Sequence, residues 1–64
     1  MNRRKIELRY IDTMTPSIDN TFIVVLHDGL LIYGSIVGIF GGDLILSQSL
    51  AQIDFQTTLR NKLK

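Results

Sequence analysis

Residues 22–46, FIVVLHDGLLIYGSIVGIFGGDLIL, decide the fold. Residues 21–27 are β-branched and aromatic, the composition that pleated strands favour. In a strand Phe22, Val24 and Leu26 share one face and Ile23 and Val25 the other, because side chains alternate with period two. Asp28-Gly29 follows, two residues that tolerate positive φ, and predicts a type I′ hairpin turn. The next apolar run, residues 30–40, would span about 36 Å as a straight strand at about 3.3 Å per residue, too long for a small domain. Gly34 and Gly38 resolve the difficulty, since glycine within a strand marks a bend, a bulge or a close backbone approach. Bent strands are how small barrels close. Gly41-Gly42 predicts a second tight turn. Residues 43–49 then resume alternation, with Leu44 and Leu46 opposing Asp43, Ser47 and Ser49.

The flanks are read outward from this centre. KIELRYI, residues 5–11, places Ile6, Leu8 and Tyr10 on one face and Lys5, Glu7 and Arg9 on the other, the period of a half-buried strand. Residues 13–20 hold a proline, threonines and Asx residues and read as a loop. The tail supports two readings. Ile53, Phe55 and Leu59 alternate with polar residues as in a strand, while Phe55, Leu59 and Leu63 recur at helical spacing. A strand through Leu59 with a frayed basic end is the expectation. Tyr10, Phe22 and Phe55 read as core.

With 64 residues the chain is one domain, residues 1–64, and a small one. Such domains gain margin from disulfides, metals or association. There is no cysteine and only one histidine, His27, so association remains. Both faces of the central strands are apolar, and a chain this short is expected either to pair a strand edge with a neighbouring subunit or to pack an apolar face on another chain. Residues 22–40 approach the length of a bilayer span. Against a span, Asp28 at its middle costs about 2.5–3.5 kcal/mol, and Asp-Gly is a turn signal. No apolar run with a small-residue cleavage site follows the basic start, as a secretory signal requires. A soluble, cytoplasmic protein with no membrane contact is expected.

All seven basic residues lie near the ends: Arg3, Arg4, Lys5 and Arg9 at the start, Arg60, Lys62 and Lys64 at the finish. Between Tyr10 and Leu59 the only charges are those of Asp12, Asp19, Asp28, Asp43 and Asp54. Basic ends either keep an apolar domain in solution or form a patch for a polyanion.

Catalysis is not expected. His27 and Asp28 are adjacent and point to opposite faces of a strand, Asp28 and Asp43 read as turn residues, and no phosphate loop or metal-spaced cluster is present. No cofactor, metal or small-molecule substrate is implied. For nucleic acid, the terminal cations offer phosphate contacts, and Phe40 or Tyr33 offers a stacking surface.

Asp28-Gly29, the glycine five residues on at Gly34, the bent run through Ile36 and Gly38, and Leu44-Ile45-Leu46 together resemble the first motif of the Sm/LSm family. The resemblance covers about residues 22–46. It implies an all-β fold, a small, strongly bent five-stranded barrel of SH3 type. It also implies edge pairing into a ring of five to seven subunits, and binding of RNA. Four departures accompany it. The loop before Leu44 is about one residue short. Asp43 stands where the family carries a base-contacting asparagine, and a carboxylate cannot donate a hydrogen bond. Arg60-Asn61 is the only echo of the second motif, and a strand-like start replaces the family's N-terminal helix. These features are compatible with two functions. The first is a ring-forming Sm-like protein binding RNA, or single-stranded DNA, through Arg3, Arg4, Lys5, Phe40, Asp43, Arg60 and Lys62. The second is a non-catalytic interaction module that oligomerises through apolar strand edges without nucleic acid.

Overall fold

The computed structural model describes residues 2–63. Five antiparallel strands form one sheet: β1 (Asn2–Glu7), β2 (Ile11–Pro16), β3 (Thr21–Leu26), β4 (Leu31–Phe40) and β5 (Asp43–Gln48). One 3-10 turn, Leu8–Tyr10, joins β1 to β2, and a helix, α1 (Leu50–Lys62), follows β5. The strand order is β1-β5-β4-β3-β2, so the sheet is open and β1 and β2 are its edges.

β4 is the spine. Its residues 31–35 pair with β3 and its residues 35–40 pair with β5, and Ser35 opposes both Thr21 and Ser47. Between Ile36 and Gly38 the register with β5 skips a residue, leaving Val37 as a bulge. A bulge bends the strand that carries it, so the long apolar run is accommodated by bending, as its length required. Gly34 serves a different need. A Cβ there would lie 2.7 Å from both Leu46 Cδ2 and the Ser47 carbonyl oxygen. Only glycine lets β5 cross so close.

Around this bend the sheet encloses Ile6, Val24, Ile32, Leu44 and Leu46, with Ile11, Phe22, Leu26, Leu30 and Ile36 packed against them. Val24, Leu44 and Leu46 fall on the faces that alternation assigns them.

The turns divide differently from expectation. Gly29 takes φ 89° and donates its N–H to the Leu26 carbonyl, while Asp28 keeps an ordinary φ and accepts the Leu30 N–H on its side chain. This is the three-residue hairpin loop with glycine at its left-handed position, not a type I′ turn. Positive φ at both central residues occurs instead at Asp19-Asn20 and Gly41-Gly42.

The flanks correct three expectations. β1 ends at Glu7, and Leu8 and Tyr10 leave the strand in the 3-10 turn, where both are exposed. Residues 13–16, expected as loop, belong to the edge strand β2, and only residues 17–20 of the expected loop lie outside a strand. Being at the edge, that strand is exposed along nearly its whole length and shows no alternation of burial. Pro16 closes it, a place where a missing N–H costs no ladder bond.

The tail is helical, so the chain is mostly β without being all-β. Ser49 caps α1: its Oγ accepts the Gln52 N–H while Gln52 Oε1 accepts the Ser49 N–H. This reciprocal capping box stabilises a helix start. The helix lies against β4 where β5 has ended. The Tyr33 N–H donates to Gln56 Oε1 at 2.9 Å, Gln48 Nε2 donates to the Tyr33 carbonyl at 2.8 Å, and Arg60 Nε donates to the Leu31 carbonyl at 2.8 Å. Gln52 Nε2 reaches Ser35 Oγ at 3.0 Å. The helix thus lines the edge of β4 beyond the end of β5, and its Phe55 ring packs edge-on against Tyr33. Among the described residues no helix is long and apolar enough to cross a membrane.

Candidate nucleic-acid interface

Register places most of the candidate residues on one patch. β1 pairs with β5 so that Arg3 opposes Ser47, Lys5 opposes Ile45 and Glu7 opposes Asp43; β5 pairs with β4 so that Ile45 opposes Gly38 and Asp43 opposes Phe40. Directly opposed residues share a face. One row across three strands therefore reads Phe40, Asp43, Glu7, and the next reads Gly38, Ile45, Lys5. Arg3, Arg4, Lys5, Val37, Phe40 and Ile45 line one shallow groove.

Phe40 is 62 % exposed at the end of β4. Its ring folds back over Gly38, where a Cβ would stand 2.7 Å from Cε2. The bare glycine is thus the seat of the ring. Val37, 43 % exposed, extends the apolar surface beside it, whereas Ile39 opposes Leu44 and lies on the other face. An exposed ring beside cations is the combination that single-stranded nucleic acid uses: bases stack on the ring and phosphates pair with the cations.

The acidic residues of the patch differ from one another. Glu7 Oε2 accepts from Arg9 Nε at 2.7 Å, and Arg9 also donates to the Tyr10 hydroxyl. The hydrogen bond and the charge of Glu7 raise the Arg9 pKa above its ordinary value. No hydrogen bond or ion pair among the described residues engages the Asp43 carboxylate.

The other candidates lie elsewhere. Arg60 is held by the Leu31 carbonyl at the opposite end of β4, and Lys62 follows it in the last turn of α1. Among the described residues the two ends therefore do not build one basic patch: β1 supplies the cations of the groove and α1 does not, and Lys64 lies outside the described residues. Tyr33, a stacking candidate from sequence, is buried, with its hydroxyl donating to Thr21 Oγ1 at 2.9 Å. Phe55 is 43 % exposed and packs edge-on against Tyr33, so it covers the sheet from outside and is not core. His27 is exposed, with Nδ1 3.8 Å from Asp12 Oδ1. No group of three potential metal ligands gathers among the described residues.

Val37 and Ile45 were not expected in the site from sequence, and Gly38 was expected only as a bend in the strand. Gly38 and Phe40 are two apart on one strand, so period two alone places them on one face. The neighbourhood of β1 depends on long-range pairing and has no local signal. Compared with family models, curated proteins and solved structures, the chain matches none.

Proposed function

We propose that this chain is a non-catalytic, Sm-like nucleic-acid-binding protein that works as an oligomeric ring and takes single-stranded RNA, or single-stranded DNA, on the groove between β1 and the end of β4. The observation that carries this reading is the seating of Phe40 on Gly38 beside Arg3 and Lys5. Bases would stack on the ring while Arg3 and Lys5 hold the phosphodiester; Arg4, opposite Leu46, lies on the other face. Two cations per subunit make a weak footprint, and a ring would multiply it through avidity. The five antiparallel strands, the bulged β4 and the two unpaired edge strands are compatible with an Sm-like barrel that pairs edges with its neighbours. The helix stands at the opposite end of the chain from the one that family carries.

The exposed apolar side chains of the groove, Val37 and Phe40, favour one second reading, an interaction module that buries them against protein and ignores nucleic acid. Native mass and the 260/280 nm absorbance ratio, measured before and after nuclease, separate the two. A ring carrying nuclease-sensitive absorbance supports the first. A ring that binds no oligonucleotide at low salt supports the second, and a monomer that binds oligonucleotide removes the ring alone.

A further inference from the structure

Resting on the nucleic-acid reading, we propose that Asp43 makes this groove selective for guanine among unpaired bases. Asp43 is the residue directly opposite Phe40 across the two-residue Gly41-Gly42 turn, and the pair shares a face of the sheet. Asp43 borders the adjoining cavity with Glu7, Leu8 and Arg9, and a base stacked on the exposed ring would reach its carboxylate by projecting its edge towards the Gly41-Gly42 turn. That carboxylate accepts hydrogen bonds and donates none.

The neighbouring charges fix which part of a nucleotide lies there. Glu7, the next residue in the row, is held by Arg9, whereas Asp43 has no partner among the described residues. A phosphate at Asp43 would be repelled. The cations lie to the β1 side, with Lys5 and Arg3 two strands away from the ring, about 10 Å across the sheet. The phosphodiester therefore belongs over β1 and the base edge over Asp43. Guanine offers two adjacent donors on its Watson–Crick edge, N1–H and the 2-amino group, which match the two carboxylate oxygens. Uracil offers one donor between two acceptors that the carboxylate repels. Adenine and cytosine each offer one donor beside an acceptor.

The test uses labelled single-stranded oligouridylates bearing one central G, A, C, U or inosine, bound to the full chain at low salt and followed by fluorescence anisotropy. The G oligonucleotide is expected to bind about tenfold tighter than the U oligonucleotide, the discrimination of one good bidentate contact. Inosine, which lacks the 2-amino group, is expected between them. Asp43→Asn should abolish the preference for G and strengthen binding of the U oligonucleotide. Equal affinity for all five, or a G preference that survives Asp43→Asn, overturns the selectivity and leaves the nucleic-acid reading standing. No binding of any oligonucleotide overturns both. Because inosine changes the ligand and not the protein, the result holds even if the variant fails to fold.

Discussion

Gln56 Oε1 lies 2.9 Å from the Tyr33 backbone nitrogen and takes a hydrogen bond that a neighbouring strand would otherwise take. The match extends along the helix. Gln52, Gln56 and Arg60, four residues apart, address Ser35, Tyr33 and Leu31, two residues apart on β4. Four helical residues rise about 6 Å and two strand residues about 6.6 Å, so the periods agree. Side chains of α1 thereby complete the edge that β5 abandons after Gln48. Exposed edges invite unwanted pairing, and the helix removes this one.

Gln56→Leu should therefore destabilise the fold well beyond its lost packing. It strips the acceptor from the Tyr33 N–H and from one Gln48 Nε2 proton, at 2.9 and 2.8 Å. Each buried donor left unpaired costs about 1–3 kcal/mol. Urea unfolding should show a loss of at least ~2 kcal/mol, and far-UV circular dichroism should show reduced helix at intermediate denaturant.

Two glycine substitutions on β4 should have opposite signatures. At Gly34 an added methyl meets the Ser47 backbone, which cannot yield, and Gly34→Ala should cost ~1–3 kcal/mol in the same unfolding experiment. At Gly38 it meets only the far end of the Phe40 ring, which can swing away. Gly38→Ala should leave the unfolding midpoint nearly unchanged while weakening oligonucleotide binding.

The strand plan was legible where alternation is strong: Val24, Leu44 and Leu46 lie in the core as period two predicts. It was illegible where burial is one-sided or absent. β2 is an edge strand that buries almost nothing, so its threonines and Pro16 look like a loop. The helix had a readable signal in Ser49 and Gln52, the two ends of a capping box, but the alternation of Ile53 and Phe55 competed with it. What settles the competition is tertiary, the vacated edge at Tyr33. The same holds for the groove. Arg3, Lys5 and Phe40 were each visible from sequence, whereas their meeting depends on β1 pairing with β5.

Neutralising the β1 cations should change the salt dependence of binding more than its specificity. Each phosphate contact to a single strand contributes about −0.7 to the slope of log K against log salt. Arg3→Gln with Lys5→Gln should flatten that slope by about 1.4, measured by anisotropy titrations across a salt series. Arg60→Gln should leave the slope unchanged, since Arg60 is engaged at the Leu31 carbonyl.

The proposed function depends first on Phe40, seated on Gly38, serving as a base-stacking platform. Its most direct measurement is the affinity of a labelled single-stranded oligonucleotide for the wild-type chain and for Phe40→Ala at low salt. With the ring 62 % exposed, its loss should leave thermal stability nearly unchanged. Affinity should fall about tenfold, as removal of one stacking aromatic predicts. Equal affinity of the two proteins, or no binding by the wild-type chain, would contradict the account.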